Sequence, residues 1–447
     1  MAFKIQVGPP QISIHQGQTI LISELDGQIN WPSDKGLFFR DTRVISNWSI
    51  YANGEPWTLL NGGAITYYAA RIFLTNRVFA TESGTVPERT LGLTIGRWIA
   101  GGVHEDIEIT NNSMRRVSFQ LEISVRSDFA DLFEVKSNRI VRRGRIATEW
   151  SQSRQRLRTT YRNGDFHRAI ALSTARSSTK AAFANGRLSF EVDLQPGGRW
   201  QTCLLYTLED GAARFSPPRG CIDQSGESQH GEMMAEWLKA VAKIQTSNEE
   251  FYRMFRRALE DMAALRFPIE VADRRAFMPA AGLPWFVAPF GRDSLLVSLQ
   301  NILIYPHFAR AALEFLGSLQ ATDDDPYRDA EPGKILHELR CGELAHFKLV
   351  PHTPYYGTAD ATPLYLITLH AAWRATGDKA LLERHIDTAE NCLALLWQIF
   401  SGTGFPNQFF NDSWVVGFWR ADHGRHNVEL GRRASRMAQA VLGSPGP

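Results

Sequence analysis

Cysteine and long apolar runs are both scarce in this 447-residue chain. The four cysteines, Cys203, Cys221, Cys341 and Cys392, lie far apart and form no Cys-x-x-Cys pair, so their spacing indicates neither a metal site nor a redox site. We interpret them as reduced, mostly buried thiols, and we expect no metal and no cofactor. No window approaches the roughly 18 apolar residues that a membrane helix requires. The sequence therefore predicts a soluble, cytoplasmic protein that does not contact a membrane.

A strong excess of either charge is also missing. The 49 basic and 47 acidic residues leave a formal net charge of +2, and the basic residues are scattered. Nucleic acid is therefore not an expected partner. With 44% hydrophobic residues, the chain has enough material for two or three globular domains. The twelve tryptophans fit stacking on sugar rings but are equally ordinary in a core. The oligomeric state stays open.

The first half of the sequence has the period of two that is typical of strands. Apolar residues alternate with polar ones over 117–126, and again over 188–194. The second segment follows the turn pair Asn185-Gly186 and is closed by a Pro-Gly-Gly turn, which indicates a hairpin. Weaker strand patterns cover 12–22, 103–110 and 169–175. We predict an antiparallel β-sandwich domain over 1–228, with its sheets packed face to face and almost no helix.

The period changes near residue 230. Apolar residues at helical spacing predict linker helices over 229–267, with Ser247 or Asn248 as a cap and one stripe buried (Phe251, Met254, Phe255, Ala258, Met262 and Leu265). Further helices are predicted over 295–304, 309–319, 363–376 and 380–400, without convincing strands. We therefore expect an all-α domain over 268–447. Its long polar loops are the usual place for function.

Those loops hold nearly all the unusual polar clusters, at 282–294, 331–343, 354–363 and 407–414. For Asp293 and Asp360, helix capping is an alternative to a functional role. His337-Glu338 is not a zinc-protease motif, because Cys341 stands where the second histidine belongs. Neither a phosphate loop nor a Gly-x-Ser-x-Gly elbow occurs. Carboxylates, arginine, aromatics and amides remain, which suit holding a sugar and protonating a glycosidic oxygen.

Five segments resemble one family in the same order along the chain. The stretch 36–46 is similar to the amino-terminal domain of bacterial proteins related to amylo-α-1,6-glucosidase, the glycogen debranching enzymes. The segments 279–286, 290–295, 332–338 and 356–364 resemble the same family. The likeness covers about residues 10–424. It implies an (α/α)₆ toroid of the glucoamylase class behind the β-sandwich, with an α-glucan or oligosaccharide bound at its mouth.

The resemblance also implies roles for particular residues. An Arg-Asp-Ser segment at a helix start binds the terminal glucose in such enzymes, which corresponds to Arg292 and Asp293. The proton donor lies in a segment similar to 407–413, which makes Asp412 the candidate general acid, although Phe410 stands where a tryptophan is usual. An apolar setting must then raise the pKa of Asp412 above its ordinary value of about 3.9. The other candidate sugar-binding residues are Trp285, His337, Glu338, Arg340, Tyr356, Asp360 and Gln408.

The expected activity is hydrolysis of α-glucosidic bonds by an inverting mechanism, which needs a second carboxylate as base. A complete toroid needs roughly 210 residues in twelve helices, and the loops take much of what 248–447 offers. We therefore expect an incomplete toroid without that base, and little or no hydrolase activity; a last helix over 428–442 is the alternative. A non-catalytic glucan-binding protein and a phosphorylase also remain open, as do the glucan and its linkage.

Overall fold

The structure is a computed structural model that describes residues 10–82, 84–218, 227–271 and 274–401, with side chains omitted at 227–232 and 399–401. The chain divides into two compact units, Met1–Met234 and Ala235–Pro447.

The first unit is built almost entirely of antiparallel strands. Its strands are β1 Gln11–Gln16, β2 Thr19–Glu24, β3 Gly36–Phe39, β4 Thr42–Ile45, β5 Asn47–Ala52, β6 Glu55–Thr66, β7 Ala69–Asn76, β8 Phe79–Thr81, β9 Gly84–Val86, β10 Leu91–Ala100, β11 Gly102–Asn111, β12 Val117–Arg126, β13 Arg145–Ser151, β14 Arg156–Asn163, β15 Phe166–Ala175, β16 Ala182–Ala184, β17 Arg187–Leu194, β18 Arg199–Asp210 and β19 Ala213–Phe215. Within its first 225 residues, the described part contains one short helix, α1 Leu132–Ser137, which Asp131 caps.

These strands form a four-stranded sheet in the order β1-β2-β3-β4 and a large sheet in the order β13-β14-β15-β18-β11-β10-β7-β6-β5-β12-β17-β16, with β19 beside β18. Strand β1 packs across β6, β7 and β10 of the large sheet. Apolar side chains on these strands, such as those of Ile14, Ile72 and Ile95, are fully buried. The prediction of a β-rich first domain with almost no helix is confirmed.

Alternation explains why the clearest predicted strand forms. On β12 the side chains of Phe119 and Leu121 are buried while Ser118 and Gln120 are exposed, as the period of two requires. The predicted turn pair Asn185-Gly186 joins β16 to β17, with φ angles of 51° and 75° that fit a tight hairpin. One interpretation is corrected: 12–22 is not a single strand but a hairpin, because Gly17 takes a φ of 54° and turns the chain.

The second unit is mainly helical. Helix α2 spans the division between the units, and the described helices are α2 Glu227–Ala240, α3 Glu249–Ala264, α4 Gly291–Gln300, α5 His307–Ser318, α6 Glu343–His346, α7 Ala361–Thr376, α8 Lys379–Arg384 and α9 Ile386–Ser401. The order of a β domain followed by helices is confirmed. No helix among the described residues is long and apolar enough to cross a membrane. Helices α4, α5 and α7 pack around a core that includes Leu295, Leu313 and Tyr365.

Three predictions for this unit are wrong in detail. A hairpin of β20 Arg266–Val271 and β21 Arg274–Pro279 occurs where no strand was expected. The single helix predicted over 380–400 is two, since α8 ends before His385 and α9 begins after it. Helix α3 is capped by Asn248 as predicted, but it buries Leu259 and Ala263, with the Trp237 indole donating to the Leu259 carbonyl oxygen. Three members of its predicted buried stripe are exposed, namely Phe251, Met254 and Ala258.

Candidate functional site

Three loop segments of the helical unit meet through their backbones. Phe290 bridges Glu338, and Glu338 in turn bridges Tyr355, as in a narrow antiparallel sheet. The Leu339 amide donates to the Pro289 carbonyl oxygen at 3.1 Å, and the His337 amide donates to the Tyr355 carbonyl oxygen at 2.8 Å. Three motifs that are far apart in the sequence therefore lie side by side.

Two helices begin at this meeting point. The Gly291 amide, at the start of α4, donates to the His337 carbonyl oxygen at 3.0 Å. A Cβ atom at Gly291 would lie 1.9 Å from the Leu336 carbonyl oxygen and 3.1 Å from the Ala361 Cβ at the start of α7. Glycine is therefore required at residue 291. The Thr362 hydroxyl accepts a hydrogen bond from the Ile335 amide, which fixes α7 to the same segment.

Arg292 lies between two carboxylates at the starts of these helices. Its Nη1 is 3.4 Å from the Asp360 Oδ2, and its Nε is 3.9 Å from the Asp293 Oδ2. The side chains of Arg292 and Asp293 are each 37% exposed, and that of Asp360 is 20% exposed. The longer distance exceeds that of a hydrogen bond. This arrangement leaves donor and acceptor positions that face solvent.

The capping interpretation of these two acids is not supported by hydrogen bonds. Phe290 is the N-cap of α4, and Asp293 lies in the first turn of that helix. Asp360 occupies the N-cap position of α7 but makes no side-chain cap hydrogen bond. Its Oδ1 accepts instead from the Thr358 hydroxyl at 2.5 Å. A negative charge near a helix N-terminus also interacts favourably with the helix dipole.

A second, more buried ion pair lies on the middle segment. The Arg340 Nε donates to the Glu338 Oε1 at 2.5 Å, and both side chains are nearly inaccessible. The His352 Nε2 lies 3.3 Å from the other Glu338 oxygen. Arg340 also donates to the Trp285 carbonyl oxygen at 2.6 Å and lies over the Phe290 ring. This pair therefore holds the first and second loop segments together.

The remaining predicted residues take different positions. His337 is buried, with its ring edge-on to those of Phe290 and Tyr355. Tyr356 is buried and its hydroxyl donates to the Leu319 carbonyl oxygen at 2.7 Å, so that hydroxyl stabilises the loop. Burial raises the pKa of Tyr356, against a smaller opposing effect of Arg328. Trp285 is partly exposed beside Arg340. The structure thus brings Arg292, Asp293 and Asp360 together at the surface.

Two of the predicted residues belong to a segment that the structure does not describe. Asp412 and Gln408 lie outside the described residues, as does the rest of the segment 407–414. Sequence reasoning missed His352, Asp329, Tyr355 and Thr358. The Tyr355 hydroxyl donates to the Asp329 Oδ2 at 2.8 Å, and His352 contacts Glu338 as described. Tyr355 and Thr358 stand inside the polar cluster 354–363, but nothing in the local sequence marks His352 or Asp329.

Comparison with known proteins supports part of this interpretation. Residues 14–205 match the family described as the N-terminal domain of some glycogen debranching enzymes. The comparison with curated protein sequences found no match. A putative kojibiose phosphorylase from the human microbiome superposes with a TM-score of 0.57 at 10% identity, over 97% of this chain and 63% of that one. This chain therefore spans less than two thirds of that structure, which it resembles in fold.

Smaller proteins match less closely. A putative aldose 1-epimerase from Escherichia coli K12 has a TM-score of 0.27 at 10% identity, over 45% of this chain and 99% of that chain. A galactose mutarotase-like protein from Lactobacillus casei has the same score and identity, over 45% of this chain and all of that one. The family match concerns residues 14–205, which are similar to the N-terminal domain of some glycogen debranching enzymes.

Proposed function

We propose that this chain binds α-linked glucans or oligosaccharides at the starts of α4 and α7 and acts on them as a glycoside hydrolase. The observation that supports the proposal best is the arrangement of Arg292 between Asp293 and Asp360. A guanidinium donates hydrogen bonds and a carboxylate accepts them, so the three side chains offer both functions to neighbouring hydroxyl groups of one sugar ring.

The buried residues next to Arg292, Asp293 and Asp360 would hold these three side chains in position. The pair of Glu338 and Arg340 joins the loop segments on which the helices begin, so it can hold Arg292 without contacting solvent itself. Because a sugar site loses affinity when its polar groups move, such support is expected beneath it. Trp285, which is partly exposed, would add aromatic surface that suits the apolar face of a pyranose ring, whereas the buried His337 would support the site from beneath. Tyr356 would contribute mainly through its bond to the Leu319 carbonyl oxygen.

The finer form of the proposal concerns the reaction. It assigns hydrolysis of α-1,6 bonds with inversion, Asp412 as the proton donor, Gln408 as a neighbouring sugar contact and a cytoplasmic location. Asp412 and Gln408 lie outside the described residues. An inverting hydrolase also needs a general base about 6.5–9.5 Å from the acid. We assign no residue to that base. If the chain has the little or no hydrolase activity expected from its sequence, binding without turnover is the alternative function.

The experiment uses the full chain with maltodextrin and with a limit dextrin. Released glucose, bound saccharide and dependence on inorganic phosphate are measured in parallel. Glucose release without phosphate that falls in Asp412→Asn would support hydrolysis. Saccharide binding alone would support the non-catalytic alternative, and release of a sugar phosphate would support a phosphorylase. Absence of both binding and release would contradict the proposal.

A further inference from the structure

A second polar cluster lies in the β unit, far along the sequence from the loops described above. It consists of His104 and Asp106 on β11 and Cys203 on β18, which we call the β11–β18 cluster. The imidazole nitrogen, the carboxylate oxygen and the sulfur atom all lie within 4.8 Å of one another. The spacing of the cysteines in the sequence gave no hint of it. The register of the sheet creates it, because Asp106 and Cys203 are direct partners across the two strands.

The three side chains share one face of the sheet. His104 and Asp106 are two residues apart and so point the same way, while Glu105 between them points into the opposite side and pairs with Arg97. His104 is fully buried and Cys203 is buried, whereas the Asp106 side chain is 27% exposed. Gly96, which has no side chain, is the partner of Asp106 on β10. The cluster therefore has a buried floor and an opening beside Asp106.

The imidazole of His104 faces two hydrogen-bond acceptors. Its Nδ1 lies 3.0 Å from the Pro218 carbonyl oxygen, and its Nε2 lies 3.0 Å from the Asp106 Oδ1. A neutral imidazole has a single N–H, so it can donate to one of the two only. When Nδ1–H donates to the carbonyl, Nε2 turns a lone pair toward the carboxylate. A cation between Nε2 and the carboxylate would relieve that repulsion.

The surroundings of His104 match those of a metal-binding histidine. Such histidines usually donate their other ring N–H to a carbonyl or carboxylate, which fixes the tautomer and the ring orientation. Here the Pro218 carbonyl oxygen takes that place. The Trp98 indole also stacks on the imidazole, with centroids 3.7 Å apart and planes 17° apart, and this fixes the ring plane.

We propose that the β11–β18 cluster binds one divalent zinc ion through His104 Nε2, an Asp106 carboxylate oxygen and the Cys203 thiolate. A sulfur, a nitrogen and an oxygen donor suit zinc rather than calcium or magnesium, which prefer oxygen ligands alone. One thiolate and one carboxylate also balance the charge of the ion. Three protein ligands leave a fourth position for water or another ligand at the open side of Asp106.

The test uses the full chain after dialysis against a chelator. Zinc affinity is measured by competition with a chromophoric chelator, and cobalt(II) is added separately as a spectroscopic probe. We expect one zinc ion per chain with a dissociation constant below about 1 μM. Cobalt should give a near-ultraviolet absorption band from charge transfer, because thiolate ligands produce one. Neither readout depends on the proposed activity.

Substitutions distinguish the cluster from other sites. Cys203→Ser should abolish the cobalt band and weaken zinc binding at least about tenfold, as loss of a ligand requires. Cys392→Ser, at a buried cysteine of the helical unit, is the matched control and should change neither. Asp106→Asn, at the partly exposed ligand, should weaken zinc binding and leave the far-ultraviolet circular dichroism unchanged, which separates ligand loss from misfolding.

Three results would overturn the proposal. The first is binding weaker than the stated limit. The second is a cobalt spectrum without the thiolate band. The third is zinc binding that Cys203→Ser and Asp106→Asn both leave unchanged. In each case the cluster would be purely structural, with the His104 ring held between the Pro218 carbonyl oxygen and the Asp106 carboxylate.

Discussion

Two ion pairs, one in each unit of this chain, are arranged in opposite ways. In the β unit, Arg97 and Glu105 are almost fully buried, with the Arg97 Nε 2.5 Å from the Glu105 Oε2. In the helical unit, Arg292 and its carboxylates are partly exposed and separated by 3.4 and 3.9 Å. The contact between Arg97 and Glu105 is short and shielded from solvent, whereas the contacts of Arg292 with its two carboxylates are longer and partly exposed to solvent. Only the second has hydrogen-bonding positions to offer to a ligand.

The buried pair is part of a closed network. The Arg97 Nη1 donates to the Gly27 carbonyl oxygen at 2.6 Å, and its guanidinium lies over the Trp48 ring. The Tyr206 hydroxyl donates to the second Glu105 oxygen at 2.8 Å and accepts from the Trp48 indole at 3.0 Å. Burial, followed by the charge of Glu105, raises the pKa of Tyr206. Such a network stabilises one arrangement of its side chains. Its donors and acceptors bond to one another and are therefore not offered to a ligand.

The largest expected effect comes from breaking this network. Glu105→Ala leaves the Arg97 guanidinium buried without its carboxylate, and the loss of one partner from a buried pair costs about 3–5 kcal/mol. Urea unfolding followed by tryptophan fluorescence would measure it. Glu191→Ala, at an exposed position of β17, is the control and should change the free energy of unfolding by less than about 0.5 kcal/mol. A loss below about 1 kcal/mol in Glu105→Ala would show that the network is not closed as described.

The helical unit also buries a neutral polar pair. The His385 Nδ1 lies 2.8 Å from the Tyr365 hydroxyl, and burial, followed by the charge of Arg384, lowers the pKa of His385 to about 4. Between pH 6.5 and pH 4 only the unfolded chain takes up this proton. Stability contributed by the neutral imidazole is therefore complete above pH 6.5 and is lost as the pH falls toward 4.

We expect this loss to be roughly 3 kcal/mol between pH 7 and pH 4, from a shift of more than two pKa units. The free energy of unfolding, measured across that range, should fall less steeply in His385→Gln than in the wild-type chain. His370→Gln, at a partly exposed position of α7, should keep most of the wild-type slope. Equal slopes in the wild-type chain and His385→Gln would contradict the assigned burial.

His385 also shows where sequence reasoning stops. The apolar spacing over 380–400 predicted one helix, and periodicity revealed neither the break at His385 nor the buried contact of that residue with Tyr365 on another helix. Strand β12 was predictable, since its alternation is a local property of the sequence. The β20–β21 hairpin was missed because its mixture of arginine and apolar residues does not alternate cleanly.

The residues of the candidate site likewise fall into those that the sequence revealed and those that it did not. Arg292, Asp293 and Asp360 stand inside recognisable motifs, so the sequence pointed to them directly. His352 approaches Glu338 only because the backbone of Arg340 pairs with that of His352. In the β unit, Cys203 meets Asp106 through strand register alone. Contacts that depend on register or on the crossing of loops are not visible in the spacing of residues.

A smaller effect should come from the open pair of the helical unit. Asp293→Ala removes one acceptor that faces solvent, so oligosaccharide binding should weaken about tenfold, equivalent to roughly 1.4 kcal/mol. The free energy of unfolding should change little, because the side chain is 37% exposed. Titration calorimetry with maltooligosaccharides would measure the affinity. Asp323→Ala, at an exposed loop position, is the matched control. Unchanged affinity in Asp293→Ala would remove this residue from the proposed site.

The smallest effect should come from an ion pair on the surface of the β unit. Hydrogen bonds from Arg116 and then Ser118 lower the pKa of Asp193 to about 2, yet both members of the Arg116–Asp193 pair are well exposed. Exposed pairs are screened by solvent and salt and contribute little at neutral pH. A depressed carboxyl pKa means that any contribution is present above pH 3.8 and is lost as the pH falls toward 2. Asp193→Asn should therefore match the wild-type chain in urea unfolding at pH 7 and differ from it only in the shape of acid unfolding below pH 4. A loss at pH 7 as large as that of Glu105→Ala would mean that exposure does not separate the two kinds of ion pair.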